Sequence, residues 1–193
     1  MTSKIRLSLP NTHAKVIEYK GKEYTIPKIT LYHRQFLTED VEGLSNHEIV
    51  LPVVEKMIKC DDISLSEDYE YLTIKLLEHN KALNKMTVID GEVFLLEDMV
   101  LCGKNEFEYD GRKYKFRKPT AYESYDSYLD GMNALYEGED EIDFNEMPSI
   151  FFRYAFMLFG TVKVVGSRGG VLNGLESIID NFFCEQEFIK LRG

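Results

Sequence analysis

The chain has 193 residues and a formal net charge of −10, from 33 acidic and 23 basic side chains. Hydrophobic residues at 44% and charged residues at 29% fit an ordinary globular protein and exclude wholesale disorder, a collagen-like fibre and a disulfide-dense mini-protein. A net negative field opposes a phosphate backbone, so general nucleic-acid binding is disfavoured.

No apolar run reaches the ~18 residues that a membrane-spanning helix needs. The start, Met1-Thr2-Ser3-Lys4-Ile5-Arg6, carries basic residues with no apolar stretch behind them, unlike a secretory leader. Cys60, Cys102 and Cys184 are odd in number and more than 40 residues apart. They read as three free thiols of a reducing, cytosolic compartment. Trp is absent, so 12 Tyr and 12 Phe must supply the rings of the core or of an interface.

After an arm over residues 1–14 the chain opens on a hairpin pattern that returns 90 residues later. I-E-Y-K-G-K-E-Y-T-I-P-K-I-T-L-Y from Ile17 and F-E-Y-D-G-R-K-Y-K-F-R-K-P-T-A-Y from Phe107 agree at seven of sixteen positions, Lys28/Lys118 and Thr30/Thr120 among them. Asp110-Gly111 is a strong two-residue turn signal and Lys20-Gly21 a weaker one. A two-residue turn sets Phe107 opposite Tyr114 and Tyr109 opposite Arg112. It places Phe107, Tyr109, Tyr114 and Phe116 on one face, as it does Ile17, Tyr19, Tyr24 and Ile26. Thr30 then predicts a short helix with Leu31, Gln35, Phe36 and Glu39. A second helix is expected over Ile49 to Lys59, with Pro52 marking a late start or a kink.

The capping box Ser64-Leu65-Ser66-Glu67 predicts a helix through Tyr69, Leu72, Ile74, Leu76 and Leu77 that ends near Asn80. Lys81 to Met86 is a polar connector, and Asp90-Gly91 another tight turn between short strands. Beyond the second hairpin, the box Thr120-Ala121-Tyr122-Glu123 predicts a helix through Tyr122, Tyr125, Leu129, Met132 and Tyr136, stopped by Gly138. Glu137 to Glu146 is an acidic loop. Pro148 opens a buried helix with Phe151, Phe152, Ala155, Phe156 and Phe159. Thr161 to Val165 is a strand, Gly166 to Gly170 a loop, and Leu175, Ile178, Ile179, Phe182, Phe183, Gln186 and Ile189 form the last helix. The expected fold is α+β, with two similar hairpin-plus-helices lobes at residues 15–100 and 101–193 that arose by internal duplication.

Chemistry is sparse. Gly166-Ser167-Arg168-Gly169-Gly170-Val171-Leu172-Asn173-Gly174 follows a strand and precedes a helix, the setting of a phosphate cradle, but lacks the Gly-Lys-Ser/Thr ending of a P-loop. His13, His33, His47 and His79 are scattered without metal-ligand spacing. The acidic residues around Asp140 do not follow the EF-hand pattern. Asp61 and Asp62 beside Cys60 raise a thiol pKa and do not activate it. Glu67 and Asp68 favour a helix dipole as first-turn residues. No catalytic, cofactor or metal residue is assigned, and no enzyme activity is expected. Tyr109, Tyr114, Tyr125 and Tyr128 are the candidate partner-binding residues, with closing a core that has no Trp as the other reading of such rings.

The segments G-K-E-Y-T-I-P-K-I-T (Gly21 to Thr30) and S-E-D-Y-E-Y-L (Ser66 to Leu72) resemble the small baseplate hub and tail-assembly chaperone proteins of T-even-like contractile-tailed bacteriophages, over about residues 15 to 80. The resemblance implies protein–protein contact with other tail or baseplate proteins, as a chaperone or a built-in subunit. It places the protein in the host cytoplasm during assembly or in the virion tail, with no cofactor, nucleic acid or membrane span. It leaves the oligomeric state unspecified. The alternative is a small nucleotide- or phosphate-binding enzyme or regulator that uses Gly166 to Gly174.

Overall fold

A computed structural model describes residues 14–29, 54, 57–58, 63–121 and 123–184. The helix expected after Thr30, most of that over Ile49 to Lys59, Cys60, Tyr122, Gln186 and Ile189 lie outside the described residues. The architecture is the mixed α+β one expected.

Strands β1 (Lys15–Tyr19) and β2 (Lys22–Ile26) form an antiparallel hairpin in which Ile17 faces Tyr24 and Tyr19 faces Lys22. Lys20 at φ +50° and Gly21 at φ +75° make the left-handed pair that a two-residue turn demands. Tyr19 and Ile26 are buried, and Glu18, Glu23 and Thr25 are exposed, so the predicted inner face is the one that packs.

Helix α1 (Ser66–His79) ends on Asn80, as its pattern predicts. Its first residue differs in cause from the expected Ser64 box. Leu65 holds the cap position without a side-chain bond, because Leu65 is bridged to Thr120 and the Ser64 carbonyl accepts from the Ala121 N–H at 2.8 Å. At the other end Asn80 ties the helix to the chain after β2. Its Oδ1 accepts from the Ile29 N–H at 2.8 Å, and its Nδ2 donates to the carbonyls of Leu76 (2.8 Å) and Pro27 (3.2 Å). Lys28 Nζ donates to the His79 carbonyl. Lys118, its counterpart in the repeated sequence, reaches Glu67 Oε2 at 2.7 Å. Corresponding lysines thus hold opposite ends of one helix.

A second hairpin follows, β3 (Met86–Ile89) and β4 (Glu92–Leu95), turning on Asp90-Gly91 with φ of +50° and +75°. After one 3₁₀ turn comes β5 (Val100–Leu101), then the third hairpin, β6 (Glu106–Tyr109) and β7 (Arg112–Lys115). Here Phe107 faces Tyr114 and Tyr109 faces Arg112, the predicted register. The helix expected from Thr120 is displaced: α2 spans Tyr128–Leu135, capped by Ser127, whose Oγ accepts from the Asp130 N–H at 3.1 Å. The Thr120–Glu123 box does form, with the Thr120 N–H 2.8 Å from Glu123 Oε2. It closes a turn and not a helix, because Thr120 is pinned to Leu65 and Arg117 grips both Glu123 oxygens. That guanidinium holds the Glu123 carboxyl down at about 2.

Helix α3 (Ile150–Leu158) follows Pro148. Strands β8 (Val162–Val165) and β9 (Val171–Asn173) join β5 in a three-stranded antiparallel sheet ordered β5-β8-β9, and α4 (Gly174–Phe182) closes the described chain. Three apolar clusters result. The first joins Ile26, Val54, Met57 and Ile58 to Tyr69, Leu72 and Leu76 of α1. The second joins Ile74, Phe94 and Leu96 to Val162, Val164, Ile178 and Phe182, drawing on both sides of residue 100. The third is ring-rich: Phe107, Tyr114, Phe116, Phe144 and Phe151 with Met132, Leu135 and Leu158. Helix α1 is a wall shared by the first two, which is why Leu72, Ile74 and Leu76 are buried at successive alternate positions.

Cys102 and Cys184 are free thiols, and burial pushes the Cys102 thiol up. Among the described residues no helix is long and apolar enough to cross a membrane.

Candidate partner-binding surface

The four tyrosines singled out from sequence do not share one surface. Tyr114 is only 5% exposed, and its ring meets Phe151 edge-on at 5.0 Å. Tyr109 is half-buried beside the same Phe151, at 5.4 Å. Both belong to the inner face of the third hairpin, so a partner could reach Tyr114 only by opening the core. Tyr125 is half-buried against Phe159 at 5.7 Å. Tyr128, at the start of α2, is the exposed member of the set.

What the structure gathers around Tyr128 is a group of phenylalanines. Its ring lies 4.9 Å from Phe156 and 5.5 Å from Phe159, and Phe156 lies 5.5 Å from Phe152. Phe152 and Phe156 are 48% and 51% exposed, which corrects the expectation that they lie in a buried helix. Helix α3 is apolar around almost its whole circumference, and the stripe Phe151, Ala155 and Leu158 supplies its fully buried members of the third cluster. On the adjacent stripe Phe159 packs half-buried against that cluster, whereas Phe152 and Phe156 stay exposed. The all-round apolar character was legible as a signal, since a helix apolar on every side is normally covered on every side. Contiguous exposed rings are uncommon on a monomer surface and mark contact sites.

The other features with chemical potential are satisfied from within the chain. Glu67 and Asp68, both buried, sit in the first turn of α1. Lys20 Nζ is 2.7 Å from Glu67 Oε1 and 2.6 Å from Asp68 Oδ1, and the Tyr19 hydroxyl donates to Asp68 Oδ1 at 2.7 Å. Burial works to raise the Glu67 pKa, but the hydrogen bonds from Lys118 and Lys20 outweigh it and hold the carboxyl below its ordinary value. Burial, followed by the bond to Asp68, pushes the Tyr19 hydroxyl up. The pair is a structural clasp: the carboxylates of α1 join the turn of the first hairpin to the strap after the third.

The glycine-rich loop is likewise occupied by the protein itself. Glu92 Oε1 accepts from the N–H groups of Arg168 (2.7 Å) and Gly170 (2.8 Å). The Ser167 N–H donates to the Val93 carbonyl at 2.9 Å, and Gly166 and Gly169 bond within the loop. Every backbone donor from 166 to 170 therefore has a partner, and a phosphate would have to displace a carboxylate. A Cβ on Gly166 would stand 2.4 Å from Glu92 Oε1 and one on Gly170 2.5 Å from Oε2, so these glycines make room for that carboxylate. Glu92→Ala should lower stability by about 1–2 kcal/mol by stripping two loop N–H groups of their acceptor. Urea unfolding measures this, and no loss would show that the loop does not depend on Glu92. Among the described residues no group of three or more His, Cys, Asp or Glu is placed to hold a metal.

The family described as baseplate hub distal subunit matches residues 26–182. A baseplate hub assembly protein, gp28 of Enterobacteria phage T4, is 30% identical over 172 residues, covering 86% of this chain and 93% of that protein. No solved structure matches. The matched span includes the clasp carboxylates on α1, the third hairpin and the exposed stripe of α3, and the chain belongs to the family of baseplate hub distal subunits.

Proposed function

We propose that the protein is a built-in subunit of a phage baseplate hub, working through contacts with other hub proteins and catalysing no reaction. The observation that carries this reading is the exposed ring group Tyr128, Phe152 and Phe156 on a domain whose buried carboxylates and glycine loop are already engaged internally. Removing exposed rings from water at a protein contact is a strong driving force, and aromatic residues are enriched at hot spots. The net charge of −10 sets the surface against nucleic acid. The subunit would be made in the host cytoplasm and end in the virion tail.

Tails purified from infected cells test the reading. The protein should be retained in them. A phage lacking its gene should regain baseplates when wild-type protein is supplied. A folded Tyr128→Ala/Phe152→Ala/Phe156→Ala variant should restore them at least ~10-fold less well, as loss of a hot spot requires. Equal rescue by that variant would remove the proposed surface. A protein needed for assembly but absent from purified tails would be a chaperone instead.

A further inference from the structure

The three hairpins share one kind of turn and differ in what they show outward. The first shows Val16, Glu18, Glu23 and Thr25, and the third shows Glu106, Glu108, Lys113 and Lys115. The second shows Met86, Val88, Val93 and Leu95, with Met86 opposite Leu95 and Val88 opposite Val93. Its inner face already packs, since Phe94 is buried in the second cluster and Ile89 lies against it. The outward four join no apolar cluster of the described residues, and Met86 and Val88 are 54% and 56% exposed. An antiparallel pair with one face in water carries polar residues there, so an outward set without a polar member marks a contact face.

Charged side chains stand at the corners of this face. Lys85 precedes β3 and Asp90 follows it, and exposed Glu97 and Asp98 follow β4. Arg168 stands near the start of β4, where a Cβ on Gly91 would be 3.8 Å from its Nη1. None of these five side chains makes an ion pair or a hydrogen bond among the described residues. Their signs alternate around the face: positive at Lys85, negative at Asp90, positive at Arg168, negative at Glu97 and Asp98. A two-fold axis in the plane of the face therefore lays unlike charges together, whichever way it runs. Across the strands it brings Lys85 to the partner's Asp90. Along them it brings Lys85 to the partner's Glu97 and Asp98. In both cases apolar side chains meet apolar side chains. Such self-complementarity is what a contact between two copies of one chain requires.

We propose that the outer face of the β3–β4 hairpin receives the same face of a second copy of this chain, stacked about a two-fold axis with Met86, Val88, Val93 and Leu95 at the centre and the alternating charges at the rim. This contact is separate from the ring group on α2 and α3 and does not depend on the reading of that group. One hairpin face is a small area, so the dimer is a weak one.

Sedimentation equilibrium of the full chain, from about 5 to 500 µM, tests this. Wild-type protein should show a reversible monomer–dimer equilibrium within that range. Val88→Lys should weaken the dimer at least ~10-fold, and Lys85→Glu about fivefold. Adding Asp90→Lys to Lys85→Glu should restore it if the axis runs across the strands, and adding Glu97→Lys/Asp98→Lys if it runs along them. Lysine suits position 90, since Lys20 holds the corresponding turn position at the same φ of +50°. The Tyr128→Ala/Phe152→Ala/Phe156→Ala variant should dimerise like wild type. Circular dichroism checks the fold of each variant, and Met86→Lys replaces Val88→Lys if that variant does not fold. A monomer throughout the range, or a Lys85→Glu dimer of unchanged strength, overturns the proposal. So does failure of both charge exchanges to restore the dimer, or a dimer that survives Val88→Lys and is lost in the ring variant. Retention of the protein in purified tails is read separately, so the structural role can stand while the dimer falls.

Discussion

Replacing Phe144 by Ala is expected to cost about 3–5 kcal/mol of stability, whereas replacing Phe156 should change it by about 0.5 kcal/mol or less. Both are phenylalanines with rings close by, and their surroundings decide the difference. Phe144 is fully buried, and its ring lies 5.3 Å from Phe116, 5.3 Å from Tyr136, 5.6 Å from Phe151 and 6.3 Å from Tyr114. Its backbone is held as firmly: the Phe144 N–H donates to Asn133 Oδ1 at 2.8 Å, and Asp143 Oδ1 accepts from the Asn145 N–H at 2.9 Å. The third cluster cannot collapse onto the space left, so the loss combines transfer and cavity costs. In a chain of this size each kcal/mol moves the Tm by about 2–4 °C, so Phe144→Ala should melt roughly 6–20 °C early. Phe156 is 51% exposed, and its removal leaves no cavity. A loss below about 1 kcal/mol for Phe144→Ala would show that the ring cluster repacks. A loss above about 2 kcal/mol for Phe156→Ala would show that its ring is core and not interface.

The parts of this fold that were legible in the sequence are those set by local chemistry. Lys20-Gly21, Asp90-Gly91 and Asp110-Gly111 each adopt the same left-handed pair because glycine tolerates it and the strand twist selects it. The register of each hairpin follows. The same fact limits what the register says about ancestry: β3–β4 turns identically without sharing the repeated sequence, so matched turns do not separate duplication from shared geometry. The end of α1 at Asn80 was legible for the same local reason. Its beginning was not, because Leu65 is claimed by a bridge to Thr120, 55 positions along the chain. That bridge also moves the start of α2 from Thr120 to Tyr128. Strands β5 and β9, of two and three residues, are too short to show alternation and exist through their pairing with β8. Of the candidate surface, Tyr128 was legible and Phe152 and Phe156 were misplaced, since only the tertiary arrangement decides which apolar stripe of α3 is covered. The glycine loop was legible as a loop in the setting of a phosphate cradle without the P-loop ending, and not as a holder of the chain's own carboxylate. The carboxylate held there is Glu92, 76 and 78 residues before the Arg168 and Gly170 N–H groups that it accepts from.

Removing Glu67 should cost about 2–4 kcal/mol, somewhat below the range for a broken fully buried ion pair. The carboxylate itself is 4% exposed, yet Lys20 and Lys118 are 42% and 28% exposed and can recover part of their hydration once it is gone. The loss should be structural as well as energetic, because Glu67 is the point at which the turn of the first hairpin and the strap after the third meet on α1. The pH dependence follows from the direction of its shift. Glu67 titrates lower in the folded than in the unfolded chain, so its contribution is fully present above the unfolded value near ~4.3 and is lost as pH falls through the folded value. Glu123, held at about 2 by Arg117, adds a smaller, solvent-screened contribution in the same window. Lys20 runs the other way: its folded pKa is raised, so its contribution holds below the unfolded value near ~10.4 and fades only as pH rises through the folded one. Wild-type protein should therefore lose stability as pH drops below ~4.3, and Glu67→Ala should lose less over that interval because it starts without the clasp. Urea midpoints measured between pH 7 and pH 3 for the two proteins decide it. Parallel curves would show that Glu67 is not ionised and clasped in the folded chain. A loss of under about 0.5 kcal/mol at pH 7 would show that the two lysines are held elsewhere and that the hairpins meet on α1 without this carboxylate.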